Sequence, residues 1–148
     1  MSLVSYPKIY LYRRVVQAKM FMDEHYHEDI NLSGIADEAF FSKFHFTRLF
    51  KSIYGRTPHQ YLTSVRIDQA KHLLQINKSV ADVCYEVGFG SVSSFSGLFS
   101  KIVGQSPSVF QLKHQQRLQA VAEMPLNFIP NCFAEKKGWI KNSNFQDA

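Results

Sequence analysis

Residues Phe41 to Arg56 have the sequence FSKFHFTRLFKSIYGR, and the fold of the whole chain is predicted outward from this stretch. Apolar residues recur in it at the spacing of one helical face, which predicts a short amphipathic helix; they are Phe46, Leu49, Phe50 and Ile53. Ser42 precedes the helix, and its hydroxyl can accept a backbone N–H that the first turn leaves unpaired. Gly55 is of the residue type that commonly ends a helix.

The same stretch is basic. It contains four basic residues and no acidic one; they are Lys43, Arg48, Lys51 and Arg56. The formal net charge of the 148-residue chain is +5, but residues 40–113 alone carry nine basic and three acidic side chains, a net charge of +6. This distribution favours contact with a polyanion through the middle of the chain.

Two helices are predicted before the basic one. Residues 8–26 suit an amphipathic helix, and Asn31 is a good N-cap for a second helix of about two turns. A brief turn at Phe40 and Phe41 would join this second helix to the basic helix. Two short helices with a tight turn between them and a basic second member form a helix-turn-helix candidate.

A longer helix is predicted after Gly55, and the pattern then starts again. Thr57 can cap the long helix, and Pro58 suits its first position because the missing N–H of proline costs nothing there. After about residue 76, Ser79 caps another short helix and Ser91 caps the helix that follows it. The residues predicted to face inward in that last helix are Phe95, Leu98, Phe99 and Ile102. Gly104 ends it, and Ser106 and Pro107 open another helical turn through Val109 and Phe110. Residues 115–123 are able to extend a helix.

The second half of this pattern repeats the first. Ile35 and Ala36 correspond to Val83 and Cys84 at an offset of 48 residues. Phe46, Phe50, Gly55, Pro58 and Tyr61 correspond to Phe95, Phe99, Gly104, Pro107 and Phe110 at an offset of 49 residues. Two copies are too few for a solenoid. The sequence therefore predicts an all-α fold of two helix-turn-helix subdomains joined by a long linker helix.

The predicted organisation has four parts. Residues 1–56 form the first helix-turn-helix unit, residues 57–76 the linker helix and residues 77–114 the second unit. Residues 115–148 form a tail that is too apolar to be solvated, with Trp139, Ile140 and Phe145 towards its end. We expect this tail to pack on the domain or on a partner.

The composition argues against several other classes of protein. Only two cysteines occur, Cys84 and Cys132, and there is no CxxC pair, so reduced thiols in a cytoplasm fit best. No apolar run is long enough to span a membrane. The six histidines show no paired metal-ligand spacing, and no nucleophile stands beside a base. We therefore expect no enzyme activity, no metal and no cofactor.

The spacing of the residues within each unit is specific enough to be compared with known families. The second unit carries Val83-Cys84-x-x-Val87-Gly88-Phe89, then Phe95-x-x-x-Phe99, then Gly104-x-Ser106-Pro107-x-x-Phe110. The first carries Leu32-x-x-Ile35-Ala36, Leu49-Phe50-Lys51, Gly55-x-Thr57-Pro58-x-x-Tyr61 and Arg66-x-x-x-Ala70-Lys71-x-Leu73-Leu74. Over about residues 14–112 the chain resembles the DNA-binding domain of the AraC/XylS family of bacterial transcription regulators.

The resemblance implies a fold and a function. It implies seven helices, with two recognition helices that enter the major groove of one DNA duplex about one turn, or roughly 34 Å, apart. It implies sequence-specific binding of double-stranded DNA as a monomer on an asymmetric site, and control of transcription, usually as an activator that recruits RNA polymerase.

The resemblance also assigns the DNA contacts. In the first unit, base contacts are carried over to Phe44, Thr47 and Arg48, with Lys43 and Lys51 near phosphates and Ser42 at the helix start. In the second unit, the matching positions are Ser91, Val92, Ser93, Ser94 and Gly97, with Lys101 further along. Gly97 and Ser100 depart from the family pattern, because longer polar or basic residues are usual there. Equal use of both helices is therefore in question.

Several of these residues have a structural alternative. Phe44 is either a core residue or a DNA contact, and Arg48 either binds DNA or pairs with an acidic group. Val92 is a structural residue or a contact to a thymine methyl group, and Lys43 and Lys51 bind phosphate or are simply solvated. For the whole chain, the alternative function is a helical protein-interaction module that has kept the fold but lost strong DNA binding. Whether the chain is a stand-alone regulator or part of a longer protein is also open.

Overall fold

The computed structural model describes residues 5–38 and 42–138, and within these ranges the chain is helical with no β-strand. The α-helices are α1 (Ser5–His25), α2 (Leu32–Glu38), α3 (Lys43–Tyr54), α4 (Pro58–Gln75), α5 (Val80–Glu86), α6 (Val92–Val103), α7 (Pro107–Glu123) and α8 (Asn131–Lys136). A 3₁₀ turn, Pro125–Phe128, lies between α7 and α8. The all-α prediction is confirmed. Over the same ranges, no helix combines the length and the apolar character needed to cross a membrane.

The predicted helix starts and ends form as local chemistry requires. The side-chain hydroxyls of Ser42, Thr57, Ser79, Ser91 and Ser106 each accept the backbone N–H of the residue three positions further on. Asn31 does the same for Gly34, with an N···O distance of 3.0 Å. Gly55 and Gly104 follow α3 and α6 with φ values of 73° and 90°, a left-handed conformation that residues with a Cβ rarely adopt.

The start of α1 lies three residues before the predicted position. The helix begins at Ser5 rather than near residue 8, and it ends at His25. Pro7 does not prevent this, because the first four N–H groups of a helix have no intrahelical partner and a proline there breaks no hydrogen bond.

The helices enclose two hydrophobic clusters. The first contains Val15, Ala18, Met22, Ala36, Phe46, Phe50 and Leu62. The second contains Ile67, Ala70, Leu74, Val83, Cys84, Val87, Phe95 and Phe99. Since Leu62 belongs to the first cluster and Ile67 to the second, α4 is shared by both. The repeat is visible in the packing: the Phe50 and Tyr61 rings are 5.7 Å apart, and the equivalent Phe99 and Phe110 rings are 5.5 Å apart.

The prediction that Leu98 and Ile102 face inward is wrong. Both are exposed, and Ile102 is 50% exposed. The buried face of α6 is set by Phe95 and Phe99, and a residue three positions further on lies about 60° round the helix from each of them. The equivalent residues of α3 behave in the same way, because Leu49 is only half-buried and Ile53 is exposed.

The C-terminal part of the chain is described up to residue 138. Residues 115–123 continue α7 as predicted, and the 3₁₀ turn contacts that helix. Leu126 and Ala134 are buried, whereas Phe128 and Phe133 are exposed. Trp139, Ile140 and Phe145 lie outside the described residues, as does the expected turn at Phe40 and Phe41. Packing of the whole tail on the domain remains a prediction.

Candidate nucleic-acid interface

One edge of α3 presents a large apolar side chain to solvent. Phe44 is 79% exposed, so it is not a core residue. Together with Lys43, Thr47 and Arg48 it lines one shallow concavity on the surface. Thr47 is half-buried, and Lys43 and Arg48 are exposed. The structure therefore brings together the four side chains that the sequence placed at the start and middle of this helix.

The basic side chains of this edge have no acidic partner among the side chains that the structure describes, which are those of residues 9–34, 36 and 42–138. Lys43, Arg48 and Lys51 are exposed, and none of them forms an ion pair or a side-chain hydrogen bond with another of these side chains. The alternative that Arg48 pairs with an acidic group is not found among these residues. Lys51 lies one turn after Thr47 and extends the positive charge along the helix.

The N-terminus of α3 is closed by Ser42. Its Oγ accepts the backbone N–H of His45 at 3.1 Å, and this bond satisfies one of the N–H groups that the first turn of α3 would otherwise leave unpaired. Replacing such a cap by alanine costs about 0.5–2 kcal/mol of stability. Ser42 therefore stabilises the start of α3, and its side chain is exposed there.

The equivalent edge of α6 begins with short, uncharged side chains. Ser93, Ser94 and Gly97 are exposed, whereas Val92 is half-buried and packs against the second cluster. Val92 thus has the contacts expected of its structural alternative. Lys101, the one basic residue between positions 89 and 104, is exposed on the last turn.

The serine hydroxyls at the start of α6 are bonded to one another. Ser91 Oγ accepts the backbone N–H of Ser94 at 3.3 Å and donates to Ser94 Oγ at 2.9 Å. Ser100, which replaces the lysine usual in the resemblance, donates its hydroxyl to the Ser96 carbonyl at 2.7 Å. The exposed side chains at the start of α6 are short and already bonded to one another. Fewer of them can reach a ligand than on α3.

A polar network ties the first unit together behind α3. The Tyr61 hydroxyl on α4 donates to Asp23 Oδ1 on α1 at 2.5 Å, and Lys19 Nζ pairs with Asp23 Oδ2 at 2.7 Å. Burial raises the pKa of Tyr61, and the Asp23 carboxylate raises it further. The hydrogen bond to Asp23 raises the pKa of Lys19. Because α3 contacts both α1 and α4, this network helps to hold α3 in place.

Comparison with known proteins agrees with this geometry. Residues 35–113 match the family model described as a helix-turn-helix domain. The fold is similar to the crystal structure of the DNA-binding domain of AdpA, the global transcriptional factor, in complex with a target DNA. The TM-score is 0.67 at 30% identity, over 70% of this chain and 95% of that one. It is also similar to an AraC-type transcriptional regulator from Chromobacterium violaceum, with a TM-score of 0.63 at 25% identity, over 71% of this chain and 95% of that one. The chain belongs to the AraC family of helix-turn-helix transcription regulators.

A curated relative of this AraC-family chain is longer than the chain itself. The MmsAB operon regulatory protein of Pseudomonas aeruginosa is 40% identical over 97 residues, which make up 65% of this chain and 32% of the relative. The chain thus spans about a third of that protein.

Sequence reasoning did not single out His59, which lies beside this surface. His59, in the first turn of α4, lines a second concavity together with Lys43, Thr47 and the Thr57-Pro58 pair. Its position directly after the cap and the helix-opening proline is the signal that was available, since such a residue projects from a helix start.

No group of three or more potential metal ligands occurs among the described residues. Cys84 is buried, and burial raises the pKa of its thiol.

Proposed function

We propose that this chain binds double-stranded DNA sequence-specifically and regulates transcription, with α3 and α6 lying in successive major grooves. The observation that carries the proposal is the exposed edge of α3, where Lys43 and Arg48 line one concavity with the 79% exposed Phe44 and Lys51 lies further along the helix. None of the three basic residues has an acidic partner among the side chains that the structure describes. A polyanion supplies the missing charge, and base edges supply an apolar partner for Phe44. The two DNA-binding units are residues 1–56 and 77–114.

Within this proposal the side chains of α3 have different tasks. Lys43 and Lys51 neutralise phosphates and position the helix, since ammonium groups contact the backbone without regard to sequence. Arg48 donates two hydrogen bonds to one guanine, a contact that discriminates by about 1–3 kcal/mol. Phe44 makes apolar contact with a thymine methyl group, and Thr47 lies against the neighbouring base.

The contribution of α6 is smaller and less specific. Ser91, Ser93 and Ser94 are short and already share hydrogen bonds, so they are suited to phosphate oxygens rather than to bidentate base contacts. Lys101 adds one phosphate contact. The protein therefore takes most of its sequence preference from the first unit and uses the second mainly to add affinity.

The two units in one chain favour a monomer on an asymmetric site. Isologous dimers need palindromic sites because the protein's own two-fold axis is matched in the DNA, whereas α3 and α6 differ in their exposed side chains. Membership in the AraC family supports a role as an activator that contacts RNA polymerase in the bacterial cytoplasm. A strictly palindromic site occupied by two copies would contradict the proposal that the protein binds as a monomer.

The test is selection of bound sites from random duplex DNA, followed by fluorescence anisotropy on the selected site over a range of salt concentrations. We expect log K to fall linearly with log salt, with a slope of about −0.9 for each phosphate neutralised. Arg117→Ala is the matched control, because Arg117 is exposed on α7 and lies outside both proposed DNA-contact edges. Its removal should leave the selected site unchanged, whereas Arg48→Ala should change it.

A second candidate, a protein-interaction module, is favoured by the apolar surface beyond the second unit. Leu118, Val121 and Met124 are exposed towards the end of α7, and Phe128 is exposed in the turn that follows. The same titration separates the two functions. An interaction module would show no selected sequence and no steep salt dependence.

A further inference from the structure

One side chain of α4 reaches back to the end of α1. Arg66 Nε donates to the Tyr26 carbonyl at 2.6 Å, and Arg66 Nη2 donates to the Glu28 carbonyl at 2.9 Å. These carbonyls lie just beyond the C-terminus of α1, where unpaired acceptors carry partial negative charge. The contact spans about 40 residues of sequence, so it fixes the turn between α1 and α2 directly to α4.

The same guanidinium also contacts the second unit. Its carbon lies 5.9 Å from the centre of the Phe89 ring, within the range of a cation–π contact. Phe89 lies in the turn between α5 and α6 and packs against the second cluster. Arg66 therefore touches the inter-helix turn of the second unit on one side and the α1–α2 turn of the first on the other.

The two turns meet closely at Gly88. A Cβ there would lie 3.0 Å from the Tyr26 carbonyl oxygen and 3.1 Å from Arg66 Nε, and Gly88 has a φ of 98°. Only glycine fits such a close approach in that backbone conformation without strain. Tyr26 in turn packs against both hydrophobic clusters. Contact between the units is thus made by side chains and backbone as well as through the shared helix α4.

The charged group at this junction, the Arg66 guanidinium, is partly buried. Burial lowers the pKa of Arg66, and the Asp29 carboxylate partly raises it again. The guanidinium nevertheless stays protonated, as it does in proteins generally. A half-buried permanent charge is retained only where it is well bonded, and here two carbonyls and a ring face provide the bonds. Lysine cannot replace it, because an ammonium is a point charge without the planar fork that spans two acceptors.

We infer that Arg66 is a positioning residue that fixes the angle between the two helix-turn-helix units. The shared helix α4 sets the distance between the units, and the Arg66 contacts prevent them from bending and rotating about it. Where the proposed DNA binding holds, this angle determines which spacing between two half-sites both recognition helices can occupy together.

The first test needs no DNA and measures the angle directly. Spin labels are placed at Ser52→Cys on α3 and Ser108→Cys on α7, both exposed positions, in a Cys132→Ser background, and Cys84 stays buried. We expect one narrow distance distribution for the native Arg66. In Arg66→Gln and Arg66→Lys the width should increase about two-fold, because domains joined without a firm interface move relative to each other.

Lys71→Gln is the matched control on the same helix. Its ammonium pairs with Asp68 of the same helix, at 3.7 Å, so its loss should leave the distribution narrow. Arg66→Lys keeps the charge and is the milder variant if Arg66→Gln does not fold. Circular dichroism establishes that each variant is folded. An unchanged width in a folded Arg66 variant would overturn the inference, whether or not the chain binds DNA.

The second test uses the selected duplex with one or two base pairs inserted or removed between the half-sites. Native protein should prefer one spacing, since each base pair rotates a half-site by about a tenth of a turn. Arg66→Gln should bind the preferred spacing about ten-fold more weakly, because a looser tether lowers the effective concentration of the second unit. It should also distinguish the spacings less. A uniform loss with the spacing preference intact would mean that Arg66 acts on stability alone and would contradict its positioning role.

Discussion

Arg48 on α3 and Gly97 on α6 occupy equivalent positions, 49 residues apart, in two helices of 12 residues each. Both are exposed, both follow a serine cap by six residues, and both precede a left-handed glycine by seven. The backbone of the repeat is therefore the same in the two units, and the difference lies in the side chains that leave it. One unit presents a guanidinium at this position and the other presents only backbone.

The first prediction concerns base discrimination by α3. Arg48→Ala should lose about 1–3 kcal/mol of binding free energy on the selected site and relax the preference at one base pair, because the proposed bidentate contact to guanine is lost. Lys51→Ala should weaken all sequences alike and lower the salt slope by about one. Competition binding on a randomised site at fixed salt measures both effects.

The controls for that experiment are on α6. Val92→Ala and Ser93→Ala should change base preference little, since Val92 packs against the second cluster and neither side chain can make a bidentate contact. Loss of specificity in Val92→Ala or Ser93→Ala as large as that in Arg48→Ala would show that the two recognition helices contribute equally.

The second prediction concerns stability at alkaline pH. The pKa values of Tyr61 and Lys19 are raised above their usual values of 10.0 and 10.5, so the folded chain holds these protons more tightly than the unfolded chain. Their contribution is complete below about pH 10 and is lost as the pH rises through the raised folded values. Urea unfolding from about pH 8 to about pH 11 should show the free energy of unfolding falling more steeply in native protein than in Tyr61→Phe.

Tyr61→Phe should also cost about 0.5–1.5 kcal/mol at neutral pH, the usual net value of a hydrogen bond. The matched control is Tyr54→Phe, which removes a hydroxyl from the same aromatic group, 4.8 Å from the Phe50 ring. Equal pH profiles for native protein and Tyr61→Phe would rule out the Asp23 network as a source of alkaline sensitivity.

The parts of the fold that were predicted from sequence are those with local causes. A serine or threonine caps a helix by bonding an N–H three residues away, and a glycine ends it by taking a left-handed φ. Ser42, Thr57, Ser91 and Gly104 all act over a few residues, so their roles follow from sequence. The repetition at offsets of 48 and 49 residues then showed that these elements form two equivalent units.

The parts that were missed depend on which neighbours cover a surface. Ile102 has the apolar spacing of a core residue, yet its exposure is set by how far α5 and α7 extend around α6. The bonds from Tyr61 to Asp23 and from Arg66 to Tyr26 join residues 38 and 40 positions apart, and no local pattern indicates them. For Phe44, sequence left the core and the surface open, and only the packing decided between them.

The third prediction distinguishes the two thiols. Cys132 is exposed and Cys84 is buried, and the pKa of Cys84 is raised by burial. Because the thiolate is the reactive form, iodoacetamide at neutral pH should modify Cys132 and leave Cys84 unmodified, as judged by mass spectrometry of tryptic peptides. In denaturant both should react. Rapid modification of Cys84 in the folded chain would show that the second cluster opens readily.

The last prediction uses Gly97 to separate stability from recognition. A Cβ at Gly97 meets no atom within 4 Å, and glycine within a helix costs about 1 kcal/mol relative to alanine. Gly97→Ala should therefore raise the free energy of unfolding by about that amount while leaving base preference unchanged, because a methyl group adds no hydrogen-bond donor. Gly97→Arg should stabilise the helix slightly less but bind the selected DNA more tightly, since it restores on α6 the charge that Arg48 supplies on α3. Urea unfolding and anisotropy on the same samples separate the effects. If Gly97→Arg gains no affinity over Gly97→Ala, the exposed face of α6 at this position does not approach the duplex, and the placement of α6 in a second major groove is wrong.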